Sequence, residues 1–210
     1  MASGTRGPRG PYRTGIKTRE QIVLAAAKTF GEKGYRAASL RQIAADVGLS
    51  PAALLRHFER KEDLLAAVLN WWEDETAHRE NPDLQGLRAI DQLRTSMAYH
   101  LEHRGLLELF ITLTSEAAAN PEHPARAFAR RRYAQVVRTK TDQLLQAVQT
   151  GEIPPLTEAE AESDIRALLA VMDGLELQWL LDPNMDLVGT FNRYLDQALA
   201  CWRAGTRPMP

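Results

Sequence analysis

The sequence predicts an all-α chain in two parts, a small N-terminal helical unit and a larger C-terminal one. Three observations predict it. Apolar residues recur at intervals of three and four along most of the length, without strand-like alternation. Glycine, proline and the pairs Asn81-Pro82, Asn120-Pro121 and Asp182-Pro183 divide those stretches into helix-sized pieces. Charge is also split, with 12 Lys and Arg against 6 Asp and Glu in residues 1–65, and 14 against 21 in residues 66–210. A basic segment joined to an acidic one implies two jobs, the basic one facing a polyanion.

Composition excludes several classes. With 44% hydrophobic and 25% charged residues among 210, wholesale disorder is ruled out. No apolar run reaches the ~18 residues of a membrane span. No apolar segment follows the N-terminal charges, so a secretory signal is not expected. Cys201 stands alone and cannot form an internal disulfide, and no Cys/His cluster points to zinc or another cofactor. A reducing cytoplasm is the expected location.

Residues 1–17 are broken by glycine and proline and carry Arg6, Arg9, Arg13 and Lys17, which reads as a disordered basic arm. Thr18 with Gln21 fits a capping box opening a first helix, with Ile22, Ala25, Ala26 and Phe30 as its stripe and Gly34 as its stop. Ser39 with Gln42 fits a second box, followed by Leu40, Ile43, Ala44 and Val47, and Gly48 as the next stop. Ser50 is an N-cap and Pro51 suits the first helical position of a third helix, which turns Leu54 and Phe58 inward. A fourth helix carries Leu64, Leu65, Val68, Leu69 and Trp72. Further helices are expected over 86–103, 105–119, 124–150, 157–181 and 186–204.

Helix, glycine turn and helix over 39–58 form a helix-turn-helix. Once Leu54 and Phe58 are clamped inward, Ala52 and Arg56 lie nearly opposite, flanked by Ala53, Leu55 and His57. An α-helix fits the major groove of B-DNA, where small residues allow close approach and arginine reaches guanine or phosphate. Ser39, Arg41, Ser50, Pro51, Ala52, Ala53, Leu55, Arg56, His57 and Lys61, with Arg13, Lys17 and Thr18 from the arm, are the candidate DNA contacts. An ordinary helical hairpin is the plainer alternative; the local charge and the basic arm weigh against it.

Residues 18–69 resemble the DNA-binding domain of the TetR family of transcriptional regulators. The resemblance rests on Ala25-Ala26, Phe30, Gly34-Tyr35, Ser39, Ile43-Ala44, Val47-Gly48, Ser50, Phe58 and Lys61-Glu62 followed by Leu64-Leu65. It implies that Ser39 and Lys61 contact phosphate, that residues 50–57 form the recognition helix with its cap, and that Arg13 to Thr18 lie near the DNA backbone or minor groove. Family members usually carry tyrosine where Leu55 stands. Either that phosphate contact is lost or Arg56 and the arm replace it.

The resemblance also implies a division into an arm (1–17), a DNA-binding domain (18–65) and an effector-binding and dimerisation domain (66–210). A homodimer is expected through the last two helices, on faces carrying Leu168, Leu169, Met172, Leu175 and Trp179, then Phe191, Tyr194, Leu195, Ala198 and Trp202. Candidate lining residues for an effector pocket are Trp71, Trp72, Met97, His100, Leu101, Phe110, Leu113, Phe128, Tyr133, Met172 and Trp179; as a set they favour an apolar or aromatic ligand. Any of them serves equally well as plain core.

His100 and His103 offer two imidazoles, too few for a specific metal site. Arg126, Arg130, Arg131, Arg132, Arg138 and Lys140 read as a solvated basic face, and Glu158, Glu160, Glu162 and Asp164 as acids suited to a helix start. No phosphate-binding glycine loop or nucleophilic triad appears, so no enzyme is expected. The expected function is an operator-binding homodimer, a repressor released by a small-molecule effector. Two alternatives stay open: a regulator without effector, which a tightly filled C-terminal core would favour, and a helical enzyme with a vestigial DNA domain, which a clustered titratable set in a pocket would favour.

Overall fold

The computed structural model describes residues 11–77 and 81–208. Among them lie ten helices: α1 (Pro11–Ala37), α2 (Leu40–Asp46), α3 (Pro51–Leu55), α4 (Lys61–Ala77), α5 (Gly86–Asp91), α6 (Leu93–Glu102), α7 (Arg104–Ala119), α8 (Arg126–Gln149), α9 (Glu158–Leu181) and α10 (Leu187–Ala204). None of them is long and apolar enough to cross a membrane.

The N-terminus corrects the expected arm. Helix α1 begins at Pro11, so Lys17 and Thr18 sit inside a helix and the Thr18 capping box does not form. Proline suits a first helical turn, and a single interior glycine, Gly15, costs only about 1 kcal/mol relative to alanine. Residues 1–10 of the expected arm lie outside the described residues. The helical path breaks at Gly34, whose φ of 76° only glycine adopts readily. Ser39 stands at the N-cap of α2 without a side-chain cap, and the Gln42 side chain, turned away from the expected box, donates to Asp46 Oδ1 at 2.7 Å. The expected helix over 86–103 is two, α5 and α6, parted at Gln92, whose Oε1 accepts from the Asn81 amide at 2.5 Å. A true capping box opens α9: Thr157 caps the Glu160 amide while Glu160 reaches back to Thr157.

Two apolar cores form. One joins α1–α4 to Leu109, Leu113 and Ala117 of α7 and to Phe128 of α8. The other fills the space among α5–α10. The N-terminal unit is therefore seated on α7. Gly31 lets the two helices approach: a Cβ there would stand 3.0 Å from the Leu109 nitrogen, and the Thr112 hydroxyl donates to the Gly31 carbonyl at 3.2 Å. Beside it, the Glu116 carboxylate accepts the Tyr35 amide at 2.9 Å and lies 3.3 Å from buried His123 Nε2.

The faces expected to pair two subunits are spent within one chain. Leu168, Leu169, Met172, Trp179, Phe191, Leu195, Ala198 and Trp202 are all buried in the second core, because α10 lies across α9 and α6. Leu175 and Tyr194 are partly buried against the same core. Another face of α9 stays outward, with Leu177 48% and Leu181 80% exposed. Asp164 belongs to no acidic surface: it is buried, accepts from Trp202 Nε1 at 2.9 Å and pairs with Arg207.

Candidate functional site

The helix-turn-helix is pinned by its own backbone. Gly48 turns at φ 69°, and the amides of Val47 and Leu49 both donate to the Ala44 carbonyl, at 3.3 and 2.8 Å. Ser50 Oγ accepts the Ala53 amide at 3.1 Å, capping α3, and Pro51 occupies its first turn. Leu54 and Phe58 are buried, and the Arg19 guanidinium lies 4.4 Å from the Phe58 ring centre. Pro51, Ala52, Leu55 and Arg56 are exposed, with Ala53 and His57 partly so. The outward face of α3 is thus free of the protein's own larger part, and Leu55, 44% exposed, is an apolar residue on it.

Ser39, Arg41 and Lys17 are exposed and Thr18 is partly exposed; the Arg13 side chain lies outside the described residues. Lys61 is less free than expected. Its Nζ donates to the Arg36 carbonyl at 3.3 Å and lies 4.5 Å above the Tyr35 ring, and burial lowers its pKa. Tyr35 in turn donates to Glu62 Oε1 at 3.0 Å, and desolvation, with that carboxylate, pushes its pKa up to about 12. Lys61 therefore ties the start of α4 to the end of α1.

Helix α4 leaves this unit and, at Trp72, forms a wall of a cavity of about 120 Å³, room for several water-sized molecules. Of the residues expected there, Trp72, His100, Phe110, Tyr133 and Met172 line it. Trp72 and Phe110 stack at 5.2 Å between ring centres, and the Arg132 guanidinium lies 4.9 Å from the Trp72 ring centre. Leu113 and Phe128 border a smaller crevice behind Trp72, and Trp71 faces a surface groove beside α1. Three expected lining residues are elsewhere: Met97 and Trp179 are buried in the second core, and Leu101 is 40% exposed on α6. For Met97 and Trp179 the helical spacing marks a buried stripe but not which buried positions border empty space; Leu101 falls off that stripe.

The sequence reading missed the polar wall. Asp173 and Glu176 enter the cavity from α9, with Ser96, Tyr99 and Lys140 from other helices. Tyr133 donates to Asp173 Oδ2 at 2.7 Å, and His100 Nδ1 meets Glu176 Oε1 at 2.5 Å. Desolvation, reinforced by Glu176 and opposed by Tyr133 and His100, raises the Asp173 pKa to about 6. Burial likewise pushes the Tyr133 hydroxyl up. A signal was available: 173 and 176 fall on the same helical stripe as Leu169, Met172 and Leu180, so these acids stand at core-facing positions. Lys140, expected on a solvated face, is buried and donates to the Ala89 carbonyl at 3.4 Å. His103 is turned from His100, stacked on Tyr99 with its Nδ1 3.0 Å from the Tyr99 carbonyl.

Comparison with known proteins agrees with this geometry. The family model described as bacterial regulatory proteins, tetR family, matches residues 22–68, the span of the first core's helices. The HTH-type transcriptional regulator UidR of Escherichia coli (strain K12) is 27% identical over 140 residues, covering 66% of this chain and 70% of that protein. The HTH-type transcriptional regulator TtgR of Pseudomonas putida is 27% identical over 198 residues, covering 87% of this chain and 90% of that one. The solved SmeT–triclosan complex shares the fold with a TM-score of 0.70 at 24% identity, over 92% of this chain and 98% of that one. A pinned helix-turn-helix with an outward recognition face, lying within the span that the family model matches, leads to one conclusion: residues 22–68 form a DNA-binding domain of the tetR-family kind, and the chain is a DNA-binding transcriptional regulator.

Proposed function

We propose that the protein is a homodimeric repressor, acting in the cytoplasm, that a small molecule in the α4–α9 cavity releases from its operator. The observation that carries this reading is the double duty of α4. Its first turns bury Leu64, Leu65 and Val68 in the core beneath the recognition helix, and its later turn places Trp72 in the cavity wall. A ligand seated against Trp72 favours whichever placement of α4 fits it best, and the spacing of two recognition helices follows. The SmeT–triclosan complex, a solved structure of like fold, supports this reading. The cavity itself weighs against a regulator without effector.

The DNA contacts proposed are Ser39, Arg41, Ser50 to Ala53, Leu55, Arg56 and His57, with Lys17, Thr18 and Lys61 at the flanks. The two-fold partner is proposed to cover the outward Leu177–Leu181 face of α9, since two recognition helices must address two half-sites. The test is selection of operator fragments from genomic DNA by the purified protein, then screening of small molecules for loss of that binding. The reading stands if a bound ligand weakens operator affinity tenfold or more, and falls if ligands that occupy the cavity leave it unchanged.

One observation favours a second reading, a helical enzyme: His100, Tyr133, Asp173 and Glu176 converge on the cavity. These groups satisfy one another in pairs, and recovery of a bound ligand chemically intact after long incubation would set that reading aside.

A further inference from the structure

We infer that the cavity takes an organic cation, a protonated amine or quaternary ammonium joined to a flat apolar body, with Asp173 facing the charge and the Trp72–Phe110 stack facing the body. The inference rests on the effector reading of the same cavity and names the ligand's class.

Two carboxylates three residues apart on α9 enter one largely apolar chamber. Their surroundings differ. The Glu176 side chain is 2% exposed and meets the His100 imidazole at 2.5 Å, so a group able to carry positive charge already stands against it. Among the described residues Asp173 accepts its hydrogen bond from the neutral hydroxyl of Tyr133, at 2.7 Å, and His100, held on Glu176, acts on it only through space. The other basic groups of the lining are directed elsewhere, Lys140 Nζ toward the Ala89 carbonyl and the Arg132 guanidinium onto the face of Trp72. A carboxylate held among Leu169, Met172 and aromatic rings is costly unless a positive charge comes to it. Its raised pKa reports that cost. A ligand cation lowers it and gains a charge-assisted hydrogen bond or ion pair in a site of low dielectric. An anionic ligand would add a third negative charge to the same wall. A neutral one would leave the cost in place. The apolar body follows from the remaining walls, where stacked aromatic rings offer broad flat contact.

The experiment is calorimetric titration of the full chain with three probes of one shape class: benzyltrimethylammonium, its uncharged isostere neopentylbenzene, and phenylacetate. The cation is expected to bind at least tenfold more tightly than either other probe. In D173N the cation is expected to lose at least tenfold while the uncharged isostere keeps its affinity, with circular dichroism confirming retained helix. Equal or tighter binding of neopentylbenzene or phenylacetate by the wild-type chain overturns the inference, as does a cation preference that D173N leaves intact. Absence of binding by all three overturns it too. The effector reading fails separately, only when cavity ligands of every class leave operator affinity unchanged.

Discussion

Arg56 stands exposed at the C-cap of α3, on the side opposite Leu54, and Ala52 before it is small and exposed. Arg56→Ala is expected to weaken operator binding by about 1–3 kcal/mol and to relax the preference for one base pair, measured by fluorescence anisotropy over single-base operator variants. Lys61→Ala is expected to act differently. Its ammonium is already bound to the Arg36 carbonyl, so the loss should be even across DNA sequences and accompanied by a lower thermal midpoint; a sequence-selective loss would contradict that placement. Asp173 has a pKa raised from 3.8 to about 6, so its contribution to stability is full below about 3.8 and is lost as pH rises through about 6. Asp173→Asn is therefore expected to stabilise the ligand-free protein by about 2–3 kcal/mol at pH 8 and by little at pH 4, read from urea unfolding at both pH values. At this scale the sequence was most legible where a backbone conformation admits few residue types, as at Gly34 and Gly48, or where a residue fixes its own φ, as Pro51 does. It was least legible at Asp173 and Glu176, whose neighbours come from helices far along the chain.

Helix boundaries were legible because the chain marks them with backbone chemistry. The breaks at Asn120-Pro121, Gly151 to Pro155 and Asp182-Pro183 fall between α7, α8, α9 and α10. The Gln92 break was not legible, since Asp91-Gln92-Leu93 carries no glycine or proline and Gln92 keeps helical φ and ψ, its side chain accepting the distant Asn81 amide. Capping boxes were a weaker guide: the two expected, at Thr18 and Ser39, fail, and the one that forms, at Thr157, was not expected. For α9 the apolar positions were correctly placed and their partners were not. Periodicity identifies a buried face without saying whether another segment or another subunit buries it. The outward leucines sharpen the question, and Leu181→Glu is expected to convert dimer to monomer in sedimentation velocity while leaving the helical signal intact.

At the scale of the whole molecule, a division after residue 65 separates sequence patterns rather than cores. Leu109, Leu113 and Ala117 of α7 complete the packing beneath Phe30 and Leu65. Nothing in the first 65 residues announces this, because the completing surface is contributed by a helix some forty positions later. The fragment ending at residue 77 is expected to show reduced helicity, and the intact chain to unfold in urea as one transition by fluorescence and circular dichroism alike. Gly31→Leu is expected to lower stability by about 1–3 kcal/mol, since its Cβ alone would stand 3.0 Å from the Leu109 nitrogen. That close seat has a mechanical meaning. Where a glycine lets two backbones come this close, and a carboxylate of one holds the other's amide while a hydroxyl holds its carbonyl, there is little slack to absorb travel. Sideways displacement of α7 is thereby expected to be carried to α1, so that the cavity wall and the proposed recognition unit move as one lever instead of two bodies on a tether.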